Sequence, residues 1–196
     1  MPASSLILAS SSPRRLSLLR QIGIEPARIE TPQIDETPAP RERPRDHAER
    51  LAVAKRDAVI ERLGHTEGYV LAADTVVACG RRILPKAEDL KTAECCLRLL
   101  SGRRHRVYTG VAVSAPDGRY NACVVMTTVT LKRLGSEQLM HYLQTGEWQG
   151  KAGGYGIQGQ ADAFVTAIHG SYSNVVGLPL QKSADLLRGL GFQGLP

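Results

Sequence analysis

Aromatic residues make up only 5% of the 196 positions, with a single Trp and two Phe. Aliphatic side chains therefore have to fill most of any core. The densest basic segments, at 41–45 and 103–106, also lack the interleaved rings on which single-stranded nucleic acid stacks. Long apolar runs are missing too. Val70–Ala73 and Val76–Cys79 are short and interrupted, whereas a bilayer span needs about 20 apolar residues. No basic stretch precedes the first apolar run, and SerSerSerProArgArg at 10–15 follows it too soon for a cleavage site. No signal peptide is expected, and a cytoplasmic location is the corresponding expectation. The cysteines, at 79, 95, 96 and 123, show no CxxC spacing, so free thiols are expected rather than a disulfide or zinc framework. There is no His-x-x-x-His or Glu-x-x-His spacing, and neither His105 nor His169 accompanies a Ser or Cys nucleophile motif. Histidine-based catalysis is not expected.

What the chain does have is positive charge. Lys and Arg number 25 against 19 Asp and Glu, a formal net charge of +6. That points to an anionic partner: nucleic acid, a membrane surface or a phosphorylated small molecule. Charge alone does not choose among them. With 42% hydrophobic residues, the chain is long enough to bury one substantial core. One domain over 1–196, with room for two lobes around a cleft, is expected.

Helices and strands alternate along the sequence. Ser5–Ala9 reads as a buried first strand, followed by a helix with Ser12 as N-cap, Pro13 at its first position and Gly23 at its end. Pro32, Pro38, Pro40 and Pro44 punctuate an extended connection over 32–45. Asp46 and Glu49 have the spacing of a capping box for a second helix, with Leu51, Ala54, Ala58 and Ile60 as its apolar side. Tyr69–Ala73 reads as a strand ending at Asp74, and 89–100 as a helix closed by Gly102. Two long β segments, 106–115 and 119–134, meet at Asp117-Gly118. A helix capped by Ser136, a glycine-rich loop at 150–160, a strand over 161–168 and a last helix over 179–190 complete the chain. The pattern is α/β, with a mixed sheet.

Three places offer chemistry. The turn at 10–15 joins the carboxyl end of a strand to a helix N-terminus, where backbone N–H groups and the helix dipole favour an anion. Ser10 and Ser12 add hydroxyl donors there, and Arg14 and Arg15 add planar cationic ones. Asp74 ends an apolar strand, the edge at which α/β folds present catalytic groups, and a carboxylate there can hold Mg²⁺ or Mn²⁺. Asp35 and Glu36 read by themselves as solvated loop acids, and Lys55 and Lys86 as surface lysines. Gly146–Ala152 imitates a phosphate-binding loop but has three residues between its glycines instead of four, and Ala152 stands where Ser or Thr is required.

Six blocks together resemble the Maf family of nucleoside triphosphate pyrophosphatases. They are LeuAlaSerSerSerProArgArg (8–15), LeuAlaValAlaLys (51–55), AlaAspThrValVal (73–77), LeuSerGlyArgArgHisArgValTyrThrGlyVal (100–111), LysAlaGlyGlyTyrGlyIleGlnGly (151–159) and GlySerTyrSerAsnValValGlyLeuPro (170–179). They stand in the family's order and span nearly the whole chain. The resemblance implies an elongated mixed sheet flanked by helices around a central cleft, as in inosine-triphosphatase-like proteins, and hydrolysis between the α and β phosphates. It makes Asp74 the catalytic acid and a ligand of a divalent cation, Mg²⁺ or Mn²⁺, with Asp35 as a second metal-site acid. Arg14, Thr75 and Gln158 fall where the family selects its base. Ser10, Ser12, Arg15, Lys55 and Lys86 would line the triphosphate path.

The block ending in Gln158 looks like the branch acting on dTTP and UTP. An amide can accept from uracil N3–H while donating to O4. A 7-methyl-GTP enzyme of the same family is one alternative. A nucleotide- or nucleic-acid-binding regulator without turnover is another, since Maf-like proteins are linked to arrest of cell division. No membrane or stable nucleic-acid partner is expected, and a homodimer is compatible with the resemblance. Two departures stand out: Leu84-Pro85-Lys86-Ala87 where the family commonly has Leu-x-Lys-Pro, and Gly150 where many relatives carry an acid.

Overall fold

The computed structural model describes residues 5–64, 67–193 and 195. Four apolar residues, Leu6–Ala9, form the first strand, β1, every one of them buried. The chain leaves it through Ser10–Ser12 into helix α1, Pro13–Gln21, where Pro13 takes the first helical position. Strand β2, Arg28–Glu30, pairs parallel to β1. A proline-rich strap over 31–43 then leads into α2, Pro44–Leu63.

This helix begins earlier than its capping-box spacing suggests. Pro44 is its first residue and Arg43 the cap position, so Asp46 lies inside the first turn as a favourable dipole charge. Its buried stripe also differs from the expected one. Ala48, Leu51, Ala52 and Val59 face inward, and Lys55 shares that stripe. Ala54, Ala58 and Ile60 are only half-buried.

Strand β3, Tyr69–Cys79, runs straight through Asp74 instead of ending there. Its parallel pairing with β1 stops at Ala9 opposite Ala72. The short strand β4, Arg82–Leu84, pairs antiparallel with Val77–Cys79. On its other edge β3 is paired continuously with β6, Arg104–Ser114. Between β1 and β4, residues 73–76 of β3 therefore have no strand beside them, and Asp74 stands in that gap.

Residues Lys86–Ala87 form β5, followed by α3 over Leu90–Leu100 with Asp89 as N-cap. Strands β6 and β7, Tyr120–Leu131, make the expected hairpin around Asp117-Gly118. Helix α4 spans Ser136–Gln144, with Gly135 rather than Ser136 in the cap position. Strand β8, Lys151–Ala152, pairs with β5. The segment expected as a strand over 161–168 is a 3₁₀ turn, Gln160–Phe164, before β9, Val165–His169. A one-turn helix that the sequence reading missed, α5, Tyr172–Val176, is capped by Ser171, and α6 covers Leu180–Gly189.

The result is a seven-stranded mixed sheet in the order β2-β1-β3-β6-β7-β9, with β4 on β3. The main apolar cluster draws on α1, α3, α4 and α6 and on one face of the sheet. A smaller cluster, Ile7, Ala9, Val59, Val70 and Ala72, lies under α2. Glycine lets α2 settle close to the sheet. A Cβ on Gly110 would stand 2.1 Å from the Ala48 carbonyl oxygen. Gly110 is the cross-strand partner of Asp74, so this close approach lies beside the gap in the sheet. Among the described residues, no helix is long and apolar enough to cross a membrane.

Candidate active site

The gap in the sheet opens into a cavity of about 610 Å³. That is the size range of small-molecule sites. Ser10, Ser12, Arg14, Arg15, Lys55, Asp74, Thr75, Lys86 and Gln158 all line it. These residues come from strands, helices and loops far apart in sequence.

Two carboxylates and two lysines form one cluster in the cavity lining. The Lys55 ammonium donates to Asp74 Oδ1 at 2.5 Å and lies 2.6 Å from Glu36 Oε1. Lys86 pairs with the other oxygen of Glu36. Lys55 and Asp74 are both buried. A buried charge is tolerated when it is paired and hydrogen-bonded, and here each partner explains the other. Burial pushes the Glu36 carboxyl up, but hydrogen bonds from Lys55 and Lys86 outweigh it and hold its pKa at about 2. The Pro85 substitution does not carry Lys86 away, because β5 is held by β8 and the Pro85 carbonyl accepts from Gly153 N–H at 3.0 Å.

Asp35 is misplaced for the metal-site role expected of it. It is exposed and absent from the cavity wall, and its carboxylate accepts from Thr37 N–H at 2.8 Å. The strap is extended, so side chains alternate. Pro32, Ile34 and Glu36 turn inward, while Gln33, Asp35 and Thr37 turn out. Glu36 is the acid delivered to Asp74.

The strand-to-helix turn divides its work. Ser10 Oγ accepts from Ser12 N–H at 3.1 Å and from the buried Arg15 at 3.0 Å. Arg15 also donates to the Gly177 carbonyl at 2.8 Å and to Thr75 Oγ1 at 3.3 Å. Burial lowers its pKa, opposed mainly by the Asp74 charge. Thr75 Oγ1 is further shared with Thr109 Oγ1 at 3.0 Å. Arg15 and Thr75 are thus committed to one another and to the wall. Ser12 sits at the helix cap without making a side-chain cap bond. Among the described residues, neither the Arg14 guanidinium nor the Gln158 amide makes a hydrogen bond. Both line the cavity with polar groups left uncommitted.

Glu147, Lys151 and Tyr155 also line the cavity, and the sequence reading did not single them out. Glu147 and Lys151 lie in the segment that imitates a phosphate-binding loop. Burial lowers the Lys151 pKa, and the nearby Arg14 charge adds to this. The lysine pair and the two carboxylates balance, so Arg14, Arg15 and Lys151 leave the cavity with excess positive charge over Glu147. A polyanion fits that balance.

Tyr155 is anchored from behind by His105, whose Nε2 lies 2.7 Å from the phenol oxygen while Nδ1 is buried without a partner. Burial holds the imidazole pKa down at about 4, against an ordinary value of 6.5. Between those values the unfolded chain takes up a proton that the folded chain refuses, so stability on this residue's account rises with pH across the window. His105→Gln is expected to flatten the dependence of the urea midpoint on pH between about 4 and 6.5. An unchanged slope in that series would place the acid sensitivity on another group.

A family model described as Maf-like protein matches residues 5–190. The chain belongs to the Maf family. A relative named dTTP/UTP pyrophosphatase from Paramagnetospirillum magneticum is 59% identical over 187 residues, covering 95% of this chain and 97% of that one. A protein of the same name from Caulobacter vibrioides is 54% identical over 189 residues, covering 96% and 97%. The one from a Chelativorans species is 53% identical over 194 residues, covering 97% and 93%. In this Maf chain, Asp74, Lys55, Glu36 and Lys86 meet from four separate elements, and the gap beside β3 is where they meet.

Among the described residues, no three His, Cys, Asp or Glu side chains converge as a ready-made metal cage. Asp74 and Glu36 nevertheless converge on one ammonium from two sides. A pair of carboxylates completed by water and substrate phosphate is the donor set that Mg²⁺ ordinarily uses. The residues fit such an ion.

Proposed function

We propose that this chain hydrolyses dTTP and UTP to the nucleoside monophosphate and pyrophosphate, acting as one nucleotide pyrophosphatase domain in the cytoplasm. The observation that carries the reading is the cavity at the gap in the sheet. Its lining combines the acid–lysine cluster with the side chains of Arg14 and Gln158, which make no hydrogen bond among the described residues. The names of the close relatives agree with it. A homodimer is compatible with the reading but is not needed to complete the site.

A nucleoside triphosphate carries about four negative charges at neutral pH, and more charge develops on the leaving pyrophosphate. Arg14 and the helix N-terminus at Ser12 supply the offset, joined by Lys55 and Lys86 once their partner carboxylates hold a cation. Arg15 contributes through its fixed charge while holding Ser10 and Thr75 in place. Asp74 is the carboxylate placed to accept the proton of the attacking water. Asp74 and Glu36 would hold a divalent cation, with Glu36 in the place first given to Asp35. Such an ion, when bound, offsets phosphate charge and lowers the pKa of coordinated water. Gln158 reads the base, its amide accepting from N3–H and donating to O4.

Pyrophosphate release from a nucleotide panel with Mg²⁺ or Mn²⁺ tests the reading. UTP and dTTP are expected to lead. Gln158→Glu, which loses the amide donor but keeps an acceptor, is expected to reduce UTP use on the order of tenfold. An unchanged preference removes Gln158 from base selection. A preference for 7-methyl-GTP keeps the chemistry and overturns the substrate. Absence of all turnover turns the site into that of a nucleotide-binding regulator.

A further inference from the structure

The segment resembling a phosphate-binding loop takes no part in the reading above, yet it touches the loop that carries Gln158. Glu147 follows α4 in a turn fixed on both sides. Its N–H donates to Thr145 Oγ1 at 3.1 Å, and the buried neighbour Trp148 donates from its indole to the Leu143 carbonyl at 2.8 Å. From this base the Glu147 carboxylate reaches across and accepts from Gln160 N–H at 2.9 Å.

The contact leaves no room for a side chain at Gly159 while Glu147 stays in place. A Cβ on Gly159 would stand 2.1 Å from Glu147 Oε2 and 2.7 Å from its carboxyl carbon. The other end of the loop is pinned as well. Gly156 N–H donates to the Tyr142 hydroxyl at 3.1 Å, and a Cβ on Gly156 would stand 2.5 Å from Lys151 Cε. Gln158 falls between these two pins. Its amide has no hydrogen bond of its own among the described residues. Gln158 is exposed, so what the loop fixes is the position of its backbone and with it the reach of the amide, and that backbone is set by the pins.

We propose that Glu147 is a positioning residue for nucleobase selection, holding the 156–160 loop so that Gln158 faces the base. The inference rests on the assignment of base reading to Gln158. Uracil and cytosine present opposite donor and acceptor patterns at N3 and C4. A glutamine whose backbone is fixed at one distance from the base can meet one of these patterns with good geometry, and on a loosened loop it loses that advantage. Positioning to within about half an ångström is what such a site requires.

The test compares kcat and KM for UTP and CTP in the wild type, Gln158→Ala, Glu147→Ala, Glu147→Gln and Gly159→Ala. Glu147→Ala is expected to lower the UTP-over-CTP ratio of kcat/KM by about tenfold, with the loss carried mainly by KM for UTP. Glu147→Gln retains an oxygen that accepts from Gln160 N–H and is expected to keep most of the discrimination. Gly159→Ala attacks the same contact from the other side. Its backbone, at φ −117° and ψ −150°, suits alanine, so only the clash with Glu147 is introduced. It is expected to follow Glu147→Ala and decides the matter if Glu147→Ala fails to fold. In the Gln158→Ala background, Glu147→Ala is expected to lower the ratio no further.

An unchanged ratio in Glu147→Ala and Gly159→Ala overturns the proposal, as does an equal loss of kcat for both nucleotides. If Gln158→Ala erases the preference and Glu147→Ala does not, only the role of Glu147 falls. If the wild type itself shows no preference for UTP, the reading of Gln158 falls and this inference with it.

Discussion

Asp74→Asn is expected to cut UTP turnover by at least ~10²-fold, the usual range for loss of a general base. Asparagine keeps the volume and the reach of the side chain but cannot take a proton from water. The change is well suited to a clean reading because the cluster stays paired. Lys55 retains Glu36 at 2.6 Å, so no ammonium is left buried without a partner. Circular dichroism and the thermal midpoint of the variant should therefore stay near those of the parent while pyrophosphate release collapses. Near-normal turnover would remove Asp74 from the mechanism. Asp35→Asn is the natural companion. That carboxylate is exposed and turned away from the cavity, so turnover is expected to stay close to the parent's. A large loss in Asp35→Asn would return the second acid to the position first expected of it.

Gly110→Ala is expected to be the most damaging single methyl group that can be added near the site. The new Cβ would meet the Ala48 carbonyl oxygen at 2.1 Å and its carbon at 2.6 Å. These are backbone atoms in the second turn of α2, so no rotamer change relieves them, and that end of the helix has to lift off the sheet. Overpacking of this kind costs on the order of 3 kcal/mol, which in a chain this long lowers the thermal midpoint by roughly 6–12 °C. Function should suffer beyond stability. The helix that lifts carries Lys55, and the strand beneath it pairs Gly110 with Asp74. A midpoint within a degree or so of the parent would show that α2 is more loosely seated than its contacts indicate.

Much of this site is written locally. SerSerSerProArgArg after an apolar run specifies a strand, a turn and a helix N-terminus, and the structure places Ser10, Ser12, Arg14 and Arg15 at the cavity through that turn. The hairpin at Asp117-Gly118 and the helix capped by Asp89 follow from turn and capping chemistry in the same way. Lys55 was legible in a weaker sense. It stands four residues after Leu51, on the stripe that Ala48, Leu51, Ala52 and Val59 bury, and a lysine on a buried stripe asks for an acid. The parity of the strap also held the answer to Glu36. If Pro32 and Ile34 turn inward, period two sends Glu36 inward and Asp35 out.

The remaining errors share one cause. The expected end of β3 at Asp74 took the acid for a strand terminus, but β6 pairs β3 past it to Ala78, and only the neighbour on the other edge stops short. The 3₁₀ turn at Gln160–Phe164 has the apolar content of a strand because Ala161 and Phe164 are buried by tertiary neighbours rather than by strand pairing.

The sequence by itself determined the alternation of elements, the strand-to-helix turn at 10–15 and, through six ordered blocks, the family. Local backbone chemistry carries that information over a few residues at a time. Only the tertiary structure decided which acid faces Asp74, why Lys55 is buried and what holds Gln158. The first two depend on distant segments meeting at the stretch of β3 left without a neighbouring strand on that edge, and the third on Tyr142 and Glu147 meeting the 156–160 loop. Side-chain reach, charge pairing and the closeness allowed by Gly110 and Gly159 exist only once those segments are packed.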